Sequence, residues 1–164
     1  HALIDAMDAV RARVPDTLLL IAGKGPEAER LAARIDALGL GGHVRLLGFV
    51  PDDQLPALYR AADLCVMPSQ ALEGFGLTVL ESLASGTPVL VTPVGGLPEV
   101  VLGLGRDLLF DGTDPPALAD GIVGAFTGAR RLPDGETCRA HVRRRFDWPV
   151  IARQVRDVYV ETLR

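Results

Sequence analysis

Glu73-Gly74-Phe75-Gly76-Leu77-Thr78-Val79-Leu80-Glu81 sets two carboxylates, with seven residues between them, around a Gly-aromatic-Gly turn. The run before it, Leu64-Cys65-Val66-Met67-Pro68, is short, apolar and stopped by proline, which reads as a buried strand. The run after Gly76 is helical by composition. The stretch is therefore the end of a strand, a turn, and the start of a helix. In open parallel α/β sheets the carboxyl ends of the strands are where ligands bind, and a helix N-terminus there offers unpaired N–H groups and a positive dipole end to an anion. Gly74 and Gly76 carry no Cβ, so their backbone can approach a ligand closely.

On a helix beginning near Gly76, Glu81 lies on the face of Leu77 and Thr78, and its side chain leans back toward the turn. Its carboxylate would stand beside the bound anion. A carboxylate repels a phosphate but is a good acceptor for the neighbouring hydroxyls of a ribose. Glu73, ahead of the turn, is placed to accept hydrogen bonds from a second polyol on the other side of the phosphates. Sugar, diphosphate and ribose would then lie across one strand, turn and helix. The plain alternative makes Glu73 a complement to the helix dipole and Glu81 a solvated helix residue. The company of Gly-Phe-Gly after a proline-stopped strand favours the ligand-binding reading.

Outward from this stretch the chain alternates helix and strand. Residues 1–13 carry Leu3, Ile4, Met7 and Val10 on one stripe, and Pro15 ends the pattern. A strand is expected at 17–22, then a helix at 27–38 that buries Ala28, Leu31, Ile35 and Leu38. Strand 43–47, helix 53–62, strand 64–67, helix 76–86 and strand 88–91 follow. A short helix at Leu97–Val101, a small strand at Leu108–Phe110 and helices at 114–127, 135–145 and 148–163 close the chain. The series calls for a Rossmann-like parallel sheet with helices on both faces.

At 164 residues the chain is one domain by length. No apolar run is long enough to span a membrane, and the N-terminus has no signal-like pattern. Cys65 and Cys138 lack metal or redox spacing and fit a reducing compartment, so the expected location is cytoplasmic. The net charge of −4 argues against a dedicated nucleic-acid binder. Its basic exception is Arg143-Arg144-Arg145, with Arg130, Arg131 and Arg139 nearby. Such a cluster reads first as a solvated helix face, and second as a peripheral contact with anionic lipid at the inner membrane face or with an acidic acceptor. His1, His43 and His141 are far apart and have no ligand-type spacing, so no metal is expected. Gly23-Lys24-Gly25 is not a P-loop, since neither the earlier glycine nor the following Ser or Thr is present. Gly95-Gly96 reads as a turn needing positive φ rather than a phosphate cradle.

At the Glu73–Glu81 stretch the chain resembles the C-terminal nucleotide-sugar-binding domain of retaining glycosyltransferases of the GT-B fold, those of group 1 or family 4. The resemblance extends through Leu18-Leu19-Leu20-Ile21-Ala22-Gly23-Lys24-Gly25-Pro26, Val44-Arg45-Leu46-Leu47-Gly48-Phe49-Val50 and Ala62-Asp63-Leu64-Cys65-Val66-Met67-Pro68-Ser69. It continues through Glu81-Ser82-Leu83-Ala84-Ser85-Gly86-Thr87-Pro88-Val89 and Gly95-Gly96-Leu97-Pro98-Glu99, in the family's order. The resemblance implies that Glu73 is the catalytic-site carboxylate contacting the transferred sugar. It implies that the amides of Gly74, Phe75, Gly76, Leu77 and Thr78 hold sugar and phosphate, and that Glu81 binds ribose. Gly23, Lys24, Phe49 and Val50 would lie beside the base, and the donor, a nucleoside diphosphate sugar, would be used without a cofactor or metal.

The family also carries an arginine and a lysine after the first strand of this domain, which neutralise the leaving diphosphate; no residue here matches them. The resemblance therefore implies a fragment, residues 1–164, whose first strand and N-terminal acceptor domain lie upstream and which is inactive alone. In the order 3-2-1-4-5-6 the absent strand is central, between Leu18–Ala22 and Leu64–Met67. Two other functions keep the same fold: a non-catalytic nucleotide-binding or assembly module, and a nucleotide-sugar epimerase.

Overall fold

The computed structural model describes residues 1–163. Helix α1 (Ala2–Arg13) opens the chain and buries Ile4, Ala6, Met7 and Val10. Strand β1 (Leu19–Ala22), helix α2 (Ala28–Ala37), strand β2 (Val44–Gly48), helix α3 (Leu55–Ala61) and strand β3 (Cys65–Met67) follow. Helix α4 (Leu77–Ser85), strand β4 (Val89–Val91) and helix α5 (Leu97–Val101) continue the alternation. Three helices end it: α6 (Pro115–Thr127), α7 (Gly135–Phe146) and α8 (Trp148–Thr162).

The strands pair in parallel, as the alternation requires. β1 lies beside β2, with Leu19 opposite Val44 and Ile21 opposite Leu46. β3 lies beside β4, with Cys65 opposite Val89 and Met67 opposite Val91. Among the described residues no ladder joins one pair to the other.

The core belongs mostly to the second pair. Val89, Leu90 and Val91 are fully buried, packed with Val79 and Leu83 of α4, Leu97 and Val101 of α5, and Leu118 of α6. α1 completes this core by packing on α6. Around the first pair burial is thinner. Ile35 is the buried residue of α2, while Ala28 is exposed and Leu31 and Leu38 are half-buried, so the expected apolar face is largely uncovered. α2 is held to α1 by polar contacts instead. Arg34 Nε pairs with Asp5 Oδ1 at 2.6 Å, and Arg11 Nη1 donates to the Gly39 carbonyl at 2.8 Å.

Two further expectations do not hold. β3 is half-buried rather than buried, because it pairs on one edge only. Leu108–Phe110 is not a strand: Arg106–Leu108 is a turn of 3₁₀ helix, and a single bridge sets Leu109 opposite Val91. The Arg130 guanidinium donates to the Asp107 and Leu109 carbonyls and pairs with Asp111 Oδ2, which fixes this segment without a ladder.

Candidate functional site

The turn leaves the end of β3 through Ser69 and reaches Glu73 by way of Leu72, the one described residue other than glycine with positive φ (59°). Leu72 is fully exposed, so no packing compensates the strain of that backbone. Glu73 is half-buried, and Ser69 Oγ donates to its Oε2 at 3.2 Å. The Gly96 amide donates to the Glu73 carbonyl at 3.2 Å.

Gly95 and Gly96 back this loop so closely that they must be glycines. A Cβ on Gly95 would run into the Glu73 carbonyl, and one on Gly96 into the Gly74 carbonyl. Gly95 has φ 53°, as the expected turn requires, but what the turn does is press the site loop into place. Phe75 is propped from the other side by the Phe146 ring of α7, edge-on at 5.9 Å between centroids. Phe146 rests in turn on the buried His141 ring. Nε2 of His141 is 2.8 Å from the Val100 carbonyl, and burial pushes its pKa below the usual histidine range.

Gly76 caps α4 in the left-handed region, at φ 82°, with a Leu97 methyl 2.5 Å from where a Cβ would sit. No side chain caps the helix, so the amides at its start, those of Leu77 and Thr78, have no partner from a capping residue. Leu77 and Thr78 are exposed. The helix thus presents bare N–H donors and its positive end between the two glutamates, a seat for an anion. Glu81, one turn on, is exposed, and its Oε2 accepts a hydrogen bond at 2.9 Å from the Tyr59 hydroxyl of α3.

The base-side residues form a second group. The Gly23 amide donates to the Gly48 carbonyl at 2.7 Å, which joins the loop after β1 to the end of β2. Lys24 Nζ then lies 5.0 Å from the centroid of the exposed Phe49 ring, in cation–π contact, and Val50 follows it half-buried. Two concave surfaces lie elsewhere, one between α1 and α2 around Asp5 and Arg34, one between α1 and α6 around Arg13 and Asp120. Neither includes a residue of the turn.

The chain belongs to the glycosyl transferases group 1 family. The family pattern matches residues 1–130, which takes in every site residue named above except those of α7. Over 135 residues the chain is 37% identical to the GDP-mannose-dependent alpha-(1-6)-phosphatidylinositol monomannoside mannosyltransferase of Mycolicibacterium smegmatis; the match takes in 79% of this chain and 35% of that protein. Among solved structures it superposes on sucrose-phosphate synthase of Thermosynechococcus elongatus with a TM-score of 0.79 and 31% identity, covering 99% of this chain and 42% of that one. It superposes on Anabaena HepE in complex with UDP with a TM-score of 0.83 and 27% identity, covering 98% and 44%. The chain therefore spans well under half the length of these relatives. They carry the GT-B glycosyltransferase fold, and this chain shares the Rossmann-like part of it.

Three features of the site were not expected from the sequence. Tyr59 stands 22 residues before Glu81, on another helix, and no local spacing announces their contact. Ser69 is four residues from Glu73, but their hydrogen bond depends on a non-helical loop. The backing of the turn by Gly95 and Gly96 could be suspected from the paired glycines, though not its target. Of the arginines near the triple-arginine run, Arg130 is spent inside the fold, while Arg143, Arg144 and Arg145 are exposed on the last turn of α7, where they complement the helix dipole. Among the described residues no three His, Cys, Asp or Glu side chains gather as metal ligands, and no helix is long and apolar enough to cross a membrane.

Proposed function

We propose that this chain is the donor-nucleotide domain of a retaining glycosyltransferase that moves a hexose from a nucleoside diphosphate sugar to an acceptor. The observation that carries the reading is the uncapped N-terminus of α4, held open between Glu73 and Glu81 at the end of a parallel strand. Glu73 positions the sugar as the catalytic-site carboxylate. The amides of Gly74, Phe75, Gly76, Leu77 and Thr78 hold the sugar and the diphosphate, where their dipoles offset charge developing on the leaving group. Glu81 accepts from the ribose hydroxyls, and Gly23, Lys24, Phe49 and Val50 flank the base. A relative named as GDP-mannose-dependent and a neighbour solved with UDP support a nucleoside diphosphate donor.

The remaining parts of the reading concern the longer polypeptide. The break between the two strand pairs supports an upstream strand that would bridge them, bringing the arginine and lysine that face the diphosphate. An N-terminal domain would hold the acceptor, so residues 1–164 alone would not transfer sugar. No metal is assigned a role, and the free thiols of Cys65 and Cys138 support a cytoplasmic location.

The test is calorimetry with uridine and guanosine diphosphates on the full-length polypeptide. Glu81→Ala is expected to weaken binding by about 1–3 kcal/mol, the scale for hydrogen bonds to a charged acceptor. Glu73→Ala should lower turnover far more than affinity for the bare nucleoside diphosphate, and turnover should survive a chelator. Unchanged affinity in Glu81→Ala removes the ribose role, and equal losses in Glu73→Ala reduce that residue to a structural cap.

A further inference from the structure

Glu81 is exposed on a helix surface, where a glutamate ordinarily samples many rotamers. Here it does not stand alone. Tyr59 donates from its hydroxyl to Glu81 Oε2 at 2.9 Å, across from α3 to α4. An ionised carboxylate only accepts, with two oxygens and several lone pairs, so one donor leaves most of its capacity unused. A phenol on one oxygen restrains the group and leaves the other oxygen for a ligand.

The two helices are also joined through the main chain at the same residue. Thr87 Oγ1 donates to the Tyr59 carbonyl at 2.6 Å. Thr87 is itself locked to the end of α4, where its amide donates to the Ser82 carbonyl at 3.0 Å and the buried Ser82 hydroxyl donates to the Thr87 carbonyl at 3.0 Å. Glu81 precedes Ser82 in that helix. The backbone of Tyr59 is therefore anchored to the element that carries Glu81, and its hydroxyl reaches the carboxylate from a fixed base. Burial, together with the hydrogen bond and charge of Glu81, pushes the phenol pKa above its ordinary value, so the hydroxyl keeps its proton and its direction as donor.

We propose that Tyr59 is a positioning residue for Glu81, holding one carboxylate oxygen so that the other meets the paired hydroxyls of a bound ribose. This rests on the ribose role assigned to Glu81 above. Because Glu81 is exposed, its hydrogen bond with the half-buried Tyr59 replaces one to water and contributes little to folding. Its effect is to order the acceptor before the ligand arrives, and affinity gained that way depends on the hydroxyls being there to accept from.

The full-length polypeptide carrying Tyr59→Phe, Glu81→Ala, or both is titrated with whichever of guanosine and uridine diphosphate the unaltered protein binds more tightly. The 2′,3′-dideoxy counterpart of that nucleotide is titrated in parallel. Tyr59→Phe is expected to weaken the ribose-bearing ligand roughly three- to tenfold, to leave the dideoxy ligand unchanged, and to have no further effect when Glu81 is already alanine. Equal weakening of both ligands, or an undiminished effect in the Glu81→Ala background, would assign Tyr59 a structural role and overturn the proposal. Full affinity in Tyr59→Phe, with Glu81→Ala still selective against the ribose-bearing ligand, would overturn it while sparing the ribose role. Should Glu81→Ala itself fail to distinguish the two ligands, the ribose role falls, and the proposal with it.

Discussion

The two strand pairs of this domain are built to different standards. β3 and β4 stand in the core: β4 is fully buried, α4 and α5 pack against it, α7 packs on α4, and glycines at Gly95 and Gly96 sit tight against the site loop. β1 and β2 stand at the margin: Leu18 and Leu20 are exposed, α2 buries Ile35, and no residue of α3 is buried. Polar contacts to α1 and the Lys24–Phe49 pair take the place of apolar packing there. The candidate sugar, phosphate and ribose groups all lie on or beside the well-packed pair, and the candidate base-side residues lie on the other. A site that must hold a diphosphate in one geometry needs a stiff frame, since small misplacements cost most at the reacting centre. A base side at β1 and β2 would tolerate a looser one.

The contrast can be broken most sharply at two glycines. Gly95→Ala forces a methyl into the Glu73 backbone carbonyl at positive φ, and is expected to cost several kcal/mol or displace the site loop altogether, at the upper end of overpacking effects. Gly41→Ala, in the loop before β2, meets nothing within 4 Å and should be neutral to within about 0.5 kcal/mol. Denaturant unfolding of the two variants in the full-length polypeptide compares them; similar costs would show the two halves to be equally tight.

Leucine truncations give the next largest effect. Leu90→Ala empties a fully buried position in β4 and should cost about 2–5 kcal/mol. Leu20→Ala, in half-exposed β1, should cost about 1 kcal/mol or less. A cost at Leu20 approaching that at Leu90 would mean that upstream residues bury this face, and the contrast would belong to these residues alone rather than to the whole protein.

The smallest effect is in pH. His141 is buried behind Phe146, and desolvation lowers its folded-state pKa below the ordinary 6.5. The folded state therefore binds this proton less readily than the unfolded chain, so its contribution to stability is complete above pH 6.5 and declines as pH falls toward the folded-state value. Unfolding free energy followed downward from pH 7 should fall more steeply in the native protein than in His141→Gln, and parallel slopes would remove the histidine from the account.

Much of this arrangement was legible before any coordinates. The proline-stopped run ending at Met67, the Gly-Phe-Gly turn and the helix after Gly76 each obey local rules of chain geometry, and each stands where those rules put it. The parallel pairing of β1 with β2 and of β3 with β4 also follows from the alternation of strands and helices. What escaped was tertiary. Ala28 and Leu38 follow helical periodicity, yet periodicity says which face is apolar and not whether anything covers it. Leu108–Phe110 has strand composition, but Gly105 and the 3₁₀ turn before it leave room for one bridge only. The Tyr59 contact joins two helices whose relative placement depends on the Thr87–Ser82 lock, which no pattern in α3 records.

Binding of a nucleoside diphosphate at the start of α4 is decided by following backbone amide resonances of the full-length polypeptide during titration with uridine and guanosine diphosphates. Saturable shifts are expected for at least one of them, largest at Gly74, Gly76, Leu77 and Thr78. Shifts absent from these amides, or concentrated in the groove between α1 and α2 around Asp5 and Arg34, would contradict it.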